Sequence, residues 1–546
     1  MKTYVEEKRI RPDVLTCAVF WSIIIMMLYN IISVRIFGDM GAGFCSVPTA
    51  LYFLVYISFV LAVQKSVYIM VRLRARRSQF LNAENNMKRS FRVFSLIGLL
   101  LALMIGFGSY YIAKNLLGAG KVYFQIIIVA VSTAVLCSQG VLRGYLQGLG
   151  YTKPIVIADV LISGTAFFSG AIISWFMYDY GKKVNNLFHG DEYSAIYGAS
   201  GMVIGLLIGS IVGLVQIIIS YKLRKNEITD IVKNGAPRYL DNKNDVYTGI
   251  RPILYLYASP VFMCIVDNIF YNVFQIRSGS YDGMIAVYGS FAGRVIPFVI
   301  LLAFLCCIPF VKMWNRVMAR IERDELEGAR ERFKRLTHFT YMLLAPVATA
   351  LFVSSDLIQV ALFSKINTDI GGLFQLGAIM VFFLSLGIMA SWHLNHMGKN
   401  VLLAICLSVA WAVHIGLLIL MLLILDMGIN GVVISQLIAF VVYDIACMFM
   451  LLKMFKLRGN PLGNVGIPLL ASAFSGLILL AENKLLSNVI GEVLTLVIGL
   501  VIYFVVYMIL LIVLKGIRTH ELESVPFGKL FIRLSAKLQH DKYYEG

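Results

Sequence analysis

The chain reads as an all-α polytopic membrane protein of about 14 transmembrane helices, built as two parallel six-helix repeats followed by two extra helices. Three observations predict this. Hydrophobic residues make up 59% of its 546 residues and charged ones 14%, with a mean hydropathy of +0.81, a balance foreign to water-soluble globules. Fourteen apolar runs reach the roughly 20 residues needed to cross about 30 Å of hydrocarbon. The stretch Arg251 to Arg277 also repeats the opening of the chain: Arg11-Pro12 and Arg251-Pro252 each begin an apolar run. The two runs close on Tyr29-Asn30-Ile31-Ile32-Ser33-Val34-Arg35 and Tyr271-Asn272-Val273-Phe274-Gln275-Ile276-Arg277.

The runs span about 14 to 34, 44 to 69, 92 to 113, 122 to 147, 154 to 178, 197 to 221, 252 to 275, 283 to 311, 337 to 360, 371 to 393, 400 to 425, 428 to 452, 464 to 481 and 490 to 514. Charge orients them. With both termini in the cytoplasm, 37 of the 48 Lys and Arg fall inside and 8 outside, leaving Lys65, Arg143 and Arg294 embedded, as the positive-inside rule requires. The net charge of +18 is then a topology signal and an attraction to anionic phospholipid, not a nucleic-acid footprint. The eight cysteines lie in or beside apolar runs without metal-type spacing, as small core residues would. The first run lacks a small-residue cleavage site and reads as a retained anchor.

Residues 1–222 are expected to form an N-terminal lobe, 223–247 a cytoplasmic linker, 248–455 a C-terminal lobe, 456–516 helices 13 and 14, and 517–546 a basic amphipathic tail on the inner leaflet. Runs 4 and 5 are joined by Arg143 to Pro154, where glycines permit a tight reversal and proline starts the next helix; Arg143 and Asp159 flank that turn as a structural pair. The matching turn of the second repeat is Asn395 to Asn400. Aligning Gly150 with Gly398 gives an offset of 248, and Gly201 with Gly431 gives 230. The difference of 18 matches an inserted outer loop, Asp179 to Ile196. Both repeats therefore start from the cytoplasm and are parallel.

The turn Arg143-Gly144-x-x-Gln147-Gly148 followed by Pro154, the Met427-Gly428-Ile429-Asn430-Gly431 start of run 12, and the six plus six plus two arrangement resemble the polysaccharide transporter branch of the multidrug/oligosaccharidyl-lipid/polysaccharide (MOP) exporter superfamily, near the stage V sporulation protein B group and the lipid II flippases. That resemblance implies two lobes with a cation-rich cavity open alternately to each side. It also implies an undecaprenyl-pyrophosphate-linked saccharide as substrate, and helices 13 and 14 as a groove for its lipid tail. The chain departs where Asn395-His396 replaces the usual Gln-Gly without a following proline, and where run 1 lacks a mid-depth Arg-Asp pair; both count against lipid II itself.

The candidate substrate-binding charges are Arg294, Asp267, Lys65, Arg35 and Arg277. Asp267 lies about 12 Å below the outer end of run 7 and Arg294 about 16 Å below that of run 8, so the two are expected to pair. The pair is either structural, relieving two buried charges, or a site where pyrophosphate competes with Asp267 for the bidentate guanidinium. Lys65 is close enough to the inner interface to snorkel, and Arg35 and Arg277 sit at the outer rim. Asp444 lies some 10 Å deeper than Asp267, and His393, His396 and His414 read as interface or core histidines. No phosphate-cradling Gly-x-x-x-x-Gly-Lys-Ser/Thr loop or His-Glu-x-x-His is present. No cofactor is expected and a gradient of Na+ or H+ would drive any uphill step. The leading expectation is a monomeric, non-enzymatic flippase of the cell membrane. The alternatives are a cation-coupled multidrug exporter, usually of twelve helices, and a polytopic glycosyl- or acyltransferase, for which the outer loops offer little.

Overall fold

The computed structural model describes residues 12–116, 118–236, 245–278, 284–364, 371–455 and 465–517. The expected amphipathic tail beyond 517 and part of the cytoplasmic linker lie outside these residues. Among the described residues there is no strand. The long helices are α1 (Pro12–Val55), α2 (Val63–Arg76), α3 (Phe80–Phe107), α4 (Tyr123–Gly148), α5 (Lys153–Phe188), α6 (Tyr193–Leu223), α7 (Asp245–Ser278), α8 (Met284–Ser290), α9 (Ile296–Cys307), α10 (Val311–Ile321), α11 (Leu326–Val353), α12 (Gly371–His396), α13 (Asn400–Leu418), α14 (Gly428–Phe455), α15 (Ile467–Ile490) and α16 (Glu492–Val513).

Among the described residues, 13 continuous helical stretches are long and apolar enough to cross a membrane. The first, Thr16–Arg76, has 61 residues, about 90 Å at 1.5 Å per residue, which is long enough for two crossings. Gly38 divides it. Its φ of 69° and ψ of −172° are non-helical, and the left-handed φ is one that only glycine adopts without strain. Fourteen spans follow, as the apolar runs predict, with Asp39 as the first residue after the break.

Two compact units are distinguished by internal contacts, Met1–Leu301 with Asn400–Ser435, and Leu302–Lys399 with Gln436–Gly546. In the first, α5 and α6 pack along small residues: a Cβ on Gly205 would come within 2.4 Å of Gly170 Cα, and one on Gly201 within 2.5 Å of the Ser174 backbone. Small residues replace the hydrophobic effect as the means of bringing helices together in lipid. The stretch expected as an outer loop, Asp179 to Ile196, is instead mostly helical, because α5 runs on to Phe188 and α6 begins at Tyr193. Asn185 allows this: its Oδ1 accepts the backbone N–H groups of Tyr193 at 2.8 Å and Ser194 at 3.3 Å, capping α6 with a side chain from α5. The α4–α5 turn is as the glycines and proline predict, with Gly150 at φ +98° and Pro154 in the first turn of α5.

In the second unit, α15 packs on α11 through Ser472. The Ser472 hydroxyl reaches the Ala345 carbonyl at 3.0 Å, Thr349 Oγ1 at 2.6 Å and the Tyr503 hydroxyl of α16 at 3.0 Å. Helices 13 and 14 are thus tied to the ninth span by polar contacts inside an apolar layer.

Candidate functional site

In the first unit, α7 and α8 pack on α1, and α13 packs on α7. The approach of α8 to α1 is set by glycine. A Cβ on Gly289 would lie 2.0 Å from the Asp39 carbonyl oxygen, one on Gly43 2.3 Å from that of Ile285, and one on Gly293 2.4 Å from Ala42 Cβ. Backbones this close leave room for nothing larger. The next residue after Gly293, Arg294, lies in a π-helical turn, Phe291–Val295, and reaches Asp39 with a two-pronged fork: Nε to Oδ1 at 2.6 Å and Nη2 to Oδ2 at 2.9 Å. Only 5% of Arg294 is exposed. Asp39 stands at the N-terminal end of the helical segment after Gly38, where a carboxylate is also favoured by the unsatisfied N–H groups and the helix dipole.

The expected Arg294–Asp267 pair is therefore corrected. Asp267, 1% exposed, pairs instead with His414 of α13, Nε2 to Oδ1 at 2.8 Å. The depth reading had no azimuth. Tyr288 is the α8 residue that faces this turn of α7, donating its hydroxyl to the Cys264 carbonyl at 3.3 Å and stacking on Tyr271 with ring centroids 5.2 Å apart. Arg294 is six residues further on, within a π-helical turn, and points to Asp39 of α1.

The remaining candidates separate. Arg277 is exposed and donates to the Leu423 carbonyl at 2.6 Å, near the C-terminal end of the eleventh span. Arg35 is exposed on α1, and Lys65, half-buried on α2, forms no ion pair among the described residues. The repeated Tyr-Asn motif has diverged in use. Tyr29 donates to the Met202 carbonyl at 3.0 Å, whereas Tyr271 stacks on Tyr288. The Arg143–Asp159 pair forms, with Arg143 fully buried.

In the α1–α7–α8 region lies a small cleft lined by Ser46, Asn268, Tyr271, Asn272, Gln275 and Tyr288 among others. Asn268 Oδ1 and Gln275 Nε2 are buried there without a hydrogen-bond partner, so the cleft offers amide groups and a tyrosine face to a polar guest. Sequence reasoning missed Asp39, which follows a glycine between apolar runs and looks like a loop residue, and read His414, alone in an apolar run, as an interface or core histidine without assigning it a partner. The signal for Asp39 was that an embedded Arg294 requires a carboxylate.

No family model and no curated protein matches the chain. Solved structures do. The lipid II flippase MurJ in an inward closed conformation aligns at 16% identity with a TM-score of 0.61, covering 91% of this chain and 98% of that one. An inward-facing multidrug resistance MATE family transporter of the MOP superfamily aligns at 15% identity and 0.60, covering 80% and 95%. A MOP superfamily transporter from Pyrococcus furiosus, noted for the reversed polarity of its binding pocket, aligns at 16% and 0.53, covering 84% and 99%. Over nearly its whole length, the chain has the fold of the MOP superfamily transporters.

Proposed function

We propose that this protein is an alternating-access flippase that moves a lipid-linked saccharide, joined to its lipid through a pyrophosphate, across the cell membrane, with both termini in the cytoplasm. The observation that carries the reading is the Arg294–Asp39 fork. It joins the first repeat to the second, and the partner it gives the guanidinium is a carboxylate, the group whose bidentate geometry phosphate oxygens reproduce. A pyrophosphate entering the region would compete with Asp39, so substrate binding and release of the contact between repeats become one event. A cation-coupled multidrug exporter would share the fold, and the 14-span count stands against it.

The test uses purified protein in vesicles with a fluorescent undecaprenyl-pyrophosphate-linked sugar whose exposure on each leaflet is read by an impermeant quencher. Arg294→Ala is expected to slow flipping at least about tenfold, the equivalent of about 1.4 kcal/mol. Arg294→Lys, which keeps the charge and loses the fork, is expected to restore folding better than flipping. Wild-type flipping by Arg294→Ala would refute the assignment.

A further inference from the structure

We infer that Glu482 of α15 is a binding site for the primary ammonium of an aminophospholipid, such as phosphatidylethanolamine, drawn from the surrounding bilayer. This rests on the membrane-spanning reading and not on the identity of the transported substrate. Glu482 shares a helix face with Ile478, Leu485 and Val489, at the i−4, i+3 and i+7 positions, and all three are exposed. In a chain of spanning helices such a stripe faces lipid. Glu482 itself is half-buried, and both of its carboxylate oxygens are covered and without a hydrogen-bond partner. Gly499 of α16 makes the seat: a Cβ there would come within 2.8 Å of Glu482 Oε2. The next residue, Asn483, commits its amide nitrogen to the Ser354 hydroxyl at 3.1 Å and leaves Oδ1 open as well.

The elements around this carboxylate supply no counter-ion. α15 packs on α11 and α16. The stretch Phe339 to Phe363, which includes the C-terminal half of α11 and a short helix packed on α16, contains no lysine or arginine, and neither does α16. Lys484, the only lysine or arginine of α15, stands two residues on, about 200° around the helix, and is itself exposed. An ionised carboxylate on a lipid-facing surface is costly unless a cation meets it. Three open oxygens on two consecutive residues, with the one amide nitrogen beside them already bonded, call for a donor that is positive and carries several hydrogens. A primary ammonium has three N–H groups and no acceptor, whereas a choline head group has no N–H at all. Depth agrees with a head group. Glu482 is five residues from Ser487, the C-terminal end of the apolar stretch Ile467–Ser487, or about 8 Å along the axis, on the outer side in the proposed topology. The carboxylate thus lies near the edge of the hydrocarbon and not at its centre.

The test uses the full chain in nanodiscs of phosphatidylcholine, with or without phosphatidylethanolamine of the same acyl chains. Dicyclohexylcarbodiimide activates a carboxyl group in apolar surroundings; a primary amine in contact with that group displaces the urea and leaves an amide, whereas a carboxyl group without an amine rearranges to an N-acylurea. The peptide that holds Glu482 is expected to gain the mass of a phosphatidylethanolamine in the mixed discs and no lipid in pure phosphatidylcholine. The adduct is expected to be absent in Glu482→Gln and present in Lys484→Gln. Native mass spectrometry reads the same site at equilibrium: the preference for phosphatidylethanolamine over phosphatidylcholine should fall about tenfold in Glu482→Gln, which keeps the shape and loses the charge-assisted bonds. An N-acylurea on Glu482 without lipid would mark a carboxyl group that holds only a proton and would overturn the site, as would an unmodified Glu482, an adduct that persists in Glu482→Gln, or equal retention of the two lipids by the wild type. Neither readout contains a transport substrate, so these outcomes stand apart from success or failure of the flipping assay.

Discussion

The guanidinium of Arg294 grips Asp39, 255 positions earlier in the chain, through two parallel bonds of 2.6 and 2.9 Å. It brings one half of the duplicated sequence to the other. The carboxylate is held by Arg294 in a partly buried setting, with side-chain exposures of 6% and 14%. Removing one partner should therefore cost more than removing both, on the order of 3–5 kcal/mol for a fully buried pair and less here.

That asymmetry separates a structural contact from a binding one. Asp39→Asn with Arg294→Gln together should unfold near the wild-type temperature, while Arg294→Ala alone unfolds earlier. If the arginine also binds substrate, the stable double variant flips a pyrophosphate-linked lipid no better than the single one. Wild-type flipping by the double variant would make the pair purely structural.

Glycine 289 is expected to be as intolerant as the charge pair it supports. The Cβ of Gly289→Ala would sit 2.0 Å from the Asp39 carbonyl oxygen, a backbone atom with no freedom to move aside, so α8 must withdraw from α1. A loss of roughly 1–3 kcal/mol is expected, with slower flipping. Gly416→Ala on α13, whose Cβ would meet nothing within 4 Å, should be neutral or slightly stabilising. Equal melting temperatures for the two variants would show that the crossing is looser than described.

Arg143 is predicted to be structural. It is fully buried with Asp159 as its ion-pair partner, so Asp159→Asn should lower stability by as much as about 3 kcal/mol. Arg143→Gln with Asp159→Asn should recover most of that and retain flipping. A well-folded double variant that cannot flip would place this pair in the transport machinery.

Orientation is testable with cysteines at exposed positions of the first unit, in a background without Cys17, which is itself exposed. An impermeant maleimide added outside should label Leu187→Cys and spare Lys233→Cys, in accord with the distribution of Lys and Arg. The reverse pattern would invert the topology.

Length, apolarity and charge were enough to set the class, the number of crossings and the expected orientation, because crossing hydrocarbon imposes a run length and a charge bias readable along the chain. The Arg143–Asp159 pair was legible too, since its residues are 16 apart and flank a turn whose glycine and proline define the geometry. The partners of Arg294 and Asp267 were not. Depth follows from counting residues along a helix. Direction around the helix follows from packing, and here Gly289, Gly293 and a π-helical turn rotate Arg294 toward α1 while Tyr288 occupies the face toward α7. Asp39 and His414 looked ordinary in one dimension because their roles come from residues 255 and 147 positions away. The sequence by itself determined that Arg143, Arg294 and Asp267 had to be buried, and the tertiary structure alone decided which partners Arg294 and Asp267 meet.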